Sequence, residues 1–530
     1  MPPILLRGRS LMRGPWRYLF WLSVAFILGR ASHLLFPVFP QHPPIPISPE
    51  HIFSGSDDAV SELDPISTTV VTMSSAQLSL DALLAKQSTT LEEATARYYL
   101  KAGRPPPQNF DRWFEFAREN ECLIDEYDQI HRDFEPFYQL AVDHPTRFQA
   151  MIDKGRAMIL NETEGLNRRQ QEAIGLTAIR IINGTVEMPP YSGTAFAKDL
   201  SYGLRRFAHL LPDMEFLLNG RDEPRVVFNV RDPGARTRAS KLEDLNPFHL
   251  APYPTEDFFR NRSGCSLLSK AKGFAYDDTS NISFLRSSSS SDFTTDLWPL
   301  LSSTKISPCF SDILFPSQYF YRKSRWSPKL PPNNITWDER KPQLYWRGAS
   351  NGGHIIGDNY HLFPRFRLVE LGSKHPELLD VKMTGFPKGH CGKDCDSSRI
   401  VQEYGITLKN VPRKDILQYK YLLDIDGNTF SGRFLMWLKS GSLVFKLTAF
   451  EEYFNNWIRP YEHYIPVTDV DDLVEKVKWA ISHESEARRI QEAGKMFTER
   501  IMTDEQNDCY FAAVLLEWAR LQSYARTLHS

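Results

Sequence analysis

Short apolar runs alternate along the second half of the chain with stretches whose apolar residues recur every three or four positions. "PQLYWRGAS" (Pro342 to Ser350) reads as a strand and a glycine-containing turn, and "RFRLVELGSKHPELLDVKM" as a helix, a break and a strand. "YKYLLDIDG" is another strand, "SGRFLMWLKSG" a helix ending at Gly441, and "SLVFK" a strand. Two helices follow, Leu473 to Ile501 and Asp504 to Ala525. Strands that alternate with helices imply a mostly parallel sheet covered on both faces.

The first half carries a sparser version of the same pattern. Thr90-Leu91-Glu92-Glu93 is a capping box that opens a helix to about Ala102, which Pro105-Pro106-Pro107 stops. A second helix covers Phe110 to Glu121, with Phe110, Trp113, Phe114 and Ala117 on one face. Between Gly203 and Pro224 the pattern runs helix, turn, strand, the strand being Met214 to Leu218 between Pro212-Asp213 and Asn219-Gly220. Asp222 then sits just past a strand's C-terminal end, where open α/β sheets place their ligands. Residues 280–303, with their serine run, read as a mobile surface insertion. Two such blocks, before and after about Asp338, predict an α/β protein of two Rossmann-like domains facing a cleft.

Length and composition narrow the class. A chain of 530 residues exceeds one ordinary core. Aromatic residues make up 12%, enough for stacking on sugars or bases, although filling the core is their commoner use. Net charge is −2 with both signs interspersed, which excludes a nucleic-acid footprint.

The N-terminus is asymmetric. Arg7, Arg9, Arg13 and Arg17 precede the apolar stretch Tyr18 to Gly29, and Leu34 to Phe39 is apolar again after Arg30 and His33. Lysine and arginine are then absent from Ala31 to Ala85. This predicts an uncleaved signal anchor with a lumenal body, in the Golgi or ER membrane as a single-pass type II protein. A cleaved signal peptide competes, without a clear small-x-small site. Sequons at Asn161, Asn183, Asn261, Asn281 and Asn334 agree with a lumenal body as N-glycosylation sites. Six cysteines allow three disulfides of open connectivity. His390-Cys391 with Cys395 lacks the second ligand pair of a structural zinc site.

Two stretches compete for the central chemistry. Asp424-Ile425-Asp426 has the Asp-x-Asp form with which many sugar transferases hold a metal and a nucleotide sugar. Ser431-Gly432-Arg433 follows at a helix start, where glycine permits close approach, backbone N–H groups point outward, and arginine can chelate phosphate oxygens without metal. Arg347, Arg365 and Tyr319 are further candidates for the same ligand. Arginines at strand ends are often plain ion pairs, and Asp222 beside Arg221 could equally be a paired turn carboxylate.

"RPPPQNFDRWFEFARENECLIDEYDQIHRDFEPF", "LPDMEFLLNGRDEP", "YWRGASNGG", "YKYLLDIDGNTFSGRFLMWLKSGSLVFK" and "RPYEHYIPV" together resemble glycosyltransferase family 90. This is the capsule-associated-protein family with the animal protein O-glucosyl- and O-xylosyltransferases, and the first segment most resembles fungal members. The resemblance covers roughly Arg104 to Arg520. It implies a GT-B-like fold and an inverting transfer of xylose or glucose from a UDP-sugar to a glycan or glycoprotein hydroxyl, with no catalytic metal and no cofactor. It carries the catalytic base to Asp222 and donor contacts to Ala349, Arg365 and the loop Asn428, Thr429, Phe430, Ser431, Gly432 and Arg433. A segment from Ser350 to Leu362 interrupts the family pattern before Arg365.

The expected organisation is a cytoplasmic tail (1–17), a transmembrane signal anchor (18–39) and a flexible stem (40–88). An acceptor-side domain (89–337), a donor-binding domain (338–500) and a C-terminal helix (501–530) follow. Expected partners are the UDP-sugar, the acceptor and the membrane, with no nucleic acid. The alternatives are a non-catalytic lumenal carbohydrate-binding scaffold and a metal-dependent transferase using Asp424 and Asp426.

Overall fold

The computed structural model describes residues 74–151, 153, 176–187, 197–235, 264, 294–353, 355, 357–387, 389, 391–392, 394–409 and 411–527. The expected tail, anchor and most of the stem, and the sequons at Asn161, Asn261 and Asn281, lie outside these residues. None of the helices among the described residues is long and apolar enough to cross a membrane.

Helices α1 (Ser74–Ala85), α2 (Leu91–Ala102), α3 (Phe110–Glu119) and α4 (Asp128–Asp143) open the described chain. The capping signal places α2: Thr90 Oγ1 accepts from Glu93 N at 3.2 Å, and Gly103 closes the helix with a positive φ of 65°. The face expected for α3 is the buried one, through Trp113, Phe114 and Ala117. Helix α1 corrects the sequence reading. The end of the expected stem is helical, and Leu80 on it is buried in the main core. Ser79 Oγ also donates to Glu462 at 2.7 Å, because α1 packs on a late helix that its own sequence does not reveal.

The first sheet has the order β2-β1-β3-β4-β5, built from β1 (Leu176–Ile182), β2 (Thr185–Glu187), β3 (Met214–Asn219), β4 (Leu301–Ser302) and β5 (Ile313–Leu314), with α5 (Ala197–Phe207) preceding β3. It is mixed rather than Rossmann-like throughout. Strand β1 pairs antiparallel with β2 and β3, while β3-β4 and β4-β5 are parallel. The β1-β2 hairpin turns at Asn183-Gly184, where φ is 49° and 69°. That is the Asn-Gly signal of a two-residue turn, carried within the Asn183 sequon. Residues 294–303 are not a surface insertion: Thr294, Leu297, Trp298, Leu300 and Leu301 are buried, and Leu301 and Ser302 form β4. Their serines and threonines disguise a buried segment because polar composition reports no partners.

The second sheet meets expectation. Strands β6 (Lys341–Ala349), β7 (Leu379–Gly385), β8 (Tyr419–Ile425), β9 (Leu443–Leu447) and β10 (Ile465–Pro466) are parallel in the order β10-β9-β8-β6-β7. Helices α6 (Pro364–Lys374), α7 (Ser397–Glu403), α8 (Phe434–Lys439), α9 (Leu473–Ser482), α10 (Glu484–Arg500) and α11 (Asp504–Thr527) are interspersed with these strands and follow them. One face of the sheet, with Tyr421, Leu423 and Phe445, packs with Phe366 of α6 and Val477 of α9. The other, with Tyr345, Leu422 and Val444, joins a core that also contains Trp113, Phe216 and Leu515. The two halves therefore share a core, and the described residues all belong to one compact unit, 67–530.

Helix α11 returns to the first half, packing on α3, α4, α5 and β3. Cys509 on it is disulfide-bonded to Cys122, and Trp518 Nε1 donates to Glu215 O at 2.8 Å. Cys391 and Cys395 form a second disulfide, so their sulfurs are not thiolate ligands for zinc.

Candidate active site

All strands of the second sheet run the same way, so their C-terminal ends share one edge. Asp424 and Lys446 are cross-strand neighbours there, on the face turned to the common core. Lys446 Nζ lies 3.4 Å from Asp424 and 3.2 Å from Glu452, and 3.8 Å from the Phe434 ring centroid. Burial pushes Glu452 up to about 7. Asp426, just past β8, has one oxygen accepting from Thr448 Oγ1 and the other from Ala449 N, each at 2.7 Å, and burial pushes it up to about 8. The Asp-x-Asp pair thus does not fit a divalent cation. Both Asp426 oxygens are engaged, and a cation at Asp424 would meet the charge of Lys446.

The loop 427–433 leaves this edge for α8. Gly427 N donates to Thr429 O at 2.8 Å, and Phe434 N to Ser431 O at 3.3 Å. Phe430 is a packing residue, buried against Tyr319 and Phe320 with ring centroids 6.0 and 5.9 Å away. Asn428 Oδ1 accepts from Gly352 N at 3.3 Å. Thr429 Oγ1 and Ser431 Oγ are buried with no hydrogen-bond partner among the described residues. Helix α8 spans six residues, too short for much of the expected macrodipole, so the cationic character of the loop rests on Arg433. Arg433 Nη1 donates to Arg347 O at 2.7 Å, and burial lowers its pKa despite the nearby Asp424.

The other two arginines are held by partners within the protein. Arg347 is ion-paired to Asp380 at 2.6 Å, so its guanidinium faces β7, and it meets Arg433 only through its carbonyl. Arg365 is buried under the loop and donates to Asp426 O (2.8 Å), Ala349 O (2.7 Å) and Ile425 O (3.3 Å). Burial and then Arg433 pull it down to about 9. With three N–H groups on carbonyls it clasps the ends of β6 and β8 together, and Ala349 contributes its carbonyl to that clasp.

Asp222 comes from the other half. Asn219 holds its turn: Asn219 Oδ1 accepts from Arg221 N at 3.0 Å, and Nδ2 donates to Glu223 O at 2.7 Å. Beneath it the buried Asp312 accepts from Arg225 N and Val226 N, each at 2.9 Å, and from Ser302 Oγ. Sequence reading missed Asp312, because nothing local distinguishes it from a surface aspartate. Burial pushes Asp222 up to about 6, with Arg221 opposing.

Tyr319 joins the two sets. A Cβ added at Gly432 would stand 2.6 Å from Tyr319 Cδ1, so the ring lies directly on the loop glycine. Burial raises the phenol's pKa above its ordinary value, and the charges of Asp222 and Glu223 raise it further. One tyrosine therefore touches the arginine loop and lies within Coulombic reach of the carboxylates.

Residues 319–530 match the model of glycosyl transferase family 90. That segment resembles the family. It holds Tyr319, the three arginines and the 427–433 loop, while Asp222 lies before it. Among curated relatives, protein O-glucosyltransferase 2 of Danio rerio is 30% identical over 188 residues, 35% of this chain and 34% of its own. Protein O-glucosyltransferase 1 of Homo sapiens is 27% identical, covering 43% of this chain and 58% of its own. The O-glucosyltransferase rumi homolog of Aedes aegypti is 26% identical, with 43% and 57% covered. The match thus spans about a third to three fifths of these relatives' lengths. Sucrose-phosphate synthase of Thermosynechococcus elongatus aligns at 14% identity and a TM-score of 0.23, over 37% of this chain and 47% of that one, too loosely to bear on the fold.

Proposed function

We propose that the protein is an inverting glycosyltransferase moving glucose or xylose from a UDP-sugar to a hydroxyl of a glycan or glycoprotein, without a catalytic metal, across a GT-B-like crevice between its halves. The observation that carries this is Tyr319, which links Gly432 of the arginine loop to the neighbourhood of Asp222. The family match and the O-glucosyltransferase names of the relatives support the reaction class. Two disulfides among the described residues, and sequons exposed at Asn183 and Asn334, support a lumenal setting in the secretory pathway.

Asp222, ionised above a pKa of about 6, takes the proton of an acceptor hydroxyl. The freed oxygen attacks the anomeric carbon from the face opposite UDP, and the bond from that carbon to the UDP oxygen breaks with its electron pair leaving on UDP. An α-linked donor gives a β-linked product. Arg433 and the unpartnered hydroxyls of Thr429 and Ser431 receive the developing negative charge. Arg365 acts from below by holding the loop.

Screening UDP-sugars for UDP release identifies the donor, and Asp222→Asn tests the mechanism. The variant is expected to lose turnover by several orders of magnitude while it still binds UDP. Turnover near the wild-type rate would remove Asp222 from the reaction. UDP binding by the wild type without any turnover would favour the scaffold reading instead.

A further inference from the structure

From Ile313 to Trp337 the chain carries four cations, Arg322, Lys323, Arg325 and Lys329, and no acid, in a protein whose net charge is −2. All four are exposed. The middle of this segment is a fixed turn. Arg322 N donates to Asp504 Oδ1 at 2.9 Å, and its guanidinium lies 3.5 Å from Asp504 and 3.4 Å from Glu505, at the start of α11. Ser324 N donates to Tyr321 O at 3.0 Å, Ser327 N to Ser324 O at 3.2 Å, and Trp326 N to Ser324 Oγ at 3.1 Å. Tyr321 before the turn is buried, and Leu330 after it packs against the main core.

Trp326 stands out of this turn. It is 36% exposed, more than any other tryptophan among the described residues. Its ring centroid is 6.3 Å from that of Tyr319, at 65°, and Tyr319 is the ring that lies on Gly432. The Arg325 guanidinium lies over the indole, 5.1 Å from its centroid. A rigid indole left in water offers a broad apolar surface to the C–H face of a sugar ring. A guanidinium stacked beside it offers N–H donors in the fork that fits a carboxylate.

We infer that Trp326 and Arg325 form an acceptor platform for an acidic glycan, the indole taking a sugar ring and the guanidinium the carboxylate of a uronate unit. This rests on the transferase reading above and adds to it the chemical class of the acceptor. A neutral glycan would use the indole alone, and an acidic polypeptide the cation alone. An acidic sugar chain uses both, and the acid-free segment around them favours its charge. Arg322, held by Asp504 and Glu505, fastens the turn. The platform is therefore pre-formed and loses little freedom when a chain settles on it.

The test is calorimetric titration of the full chain, as wild type, Trp326→Ala and Arg325→Ala, with tetragalacturonate, neutral mannotetraose, a glutamate peptide and UDP. The wild type is expected to bind tetragalacturonate about tenfold more tightly than mannotetraose, by a margin that shrinks as salt is added. Arg325→Ala should remove that preference. Trp326→Ala should weaken binding of both sugars about tenfold. Both variants should keep the wild-type affinity for UDP. Equal or absent binding of the two sugars by the wild type would overturn the platform and leave the transferase reading intact, as would wild-type sugar affinities in both variants. A glutamate peptide that binds as tightly as tetragalacturonate, and is indifferent to Trp326→Ala, would overturn it in favour of an acidic polypeptide. Loss of UDP affinity in Trp326→Ala would overturn it too, making Trp326 a support for Tyr319. A wild type that binds no UDP would overturn the transferase reading and the platform with it.

Discussion

Asp222→Asn separates a catalytic carboxylate from a turn residue by stability as well as by rate. Burial raises Asp222 from an ordinary 3.8 to about 6. At roughly 1.4 kcal/mol per pH unit, the ionised carboxylate costs the folded protein about 3 kcal/mol, an upper bound for a residue that is not wholly enclosed. The sign follows from proton binding. Between those two values the folded state keeps a proton that the unfolded chain has released, so stability falls as pH rises from about 4 to about 6 and is level beyond. Asparagine cannot ionise and removes this slope. Urea unfolding of both proteins across that range should show a difference that opens as pH rises, leaving Asp222→Asn the more stable at neutral pH by up to about 3 kcal/mol. A group held at this cost, and whose loss abolishes turnover, is held for chemistry. The reasoning is refuted if Asp222→Asn is the less stable protein at neutral pH, because the carboxylate would then be paid back by a partner such as Arg221.

Further outcomes follow from other contacts. Gly432→Ala would drive a Cβ to 2.6 Å from the Tyr319 ring, so UDP release should drop sharply at a stability cost of about 1–3 kcal/mol, while an unaffected rate would show that the ring can move aside. EDTA should leave donor turnover unchanged, and complete loss restored by manganese would reinstate Asp424 and Asp426 as ligands. Replacing Cys122 and Cys509 with serine cuts a link across 387 residues and should cost roughly 2–5 kcal/mol in urea unfolding, whereas an unchanged midpoint would show that packing alone holds α11.

The identity of most elements was legible in the chain because it is written in local spacing. The apolar runs of β6, β8 and β9, the capping Thr90, and the periodic face of α3 each act over a few residues, and the parallel second sheet follows from their alternation. The glycine and arginine at the start of α8 were also visible, in a pattern that a capped helix start with a surface arginine shares. Partners were not legible. Arg347 and Arg365 look alike in sequence, yet one pairs with Asp380 and the other clasps three carbonyls. The 294–303 stretch is buried because β4 inserts between β3 and β5, and the antiparallel β1-β3 pairing is a choice of neighbour, not of local conformation. Tyr319 against Gly432, Asp312 under the Asp222 turn, and Gly352 beside Asn428 are likewise meetings of residues far apart in the chain. Local patterns are set by backbone and side-chain preferences that any window of sequence carries. Which charge is neutralised, which hydroxyl is left open, and which carboxylate is kept from water depend on burial, and burial exists only once the whole chain has packed.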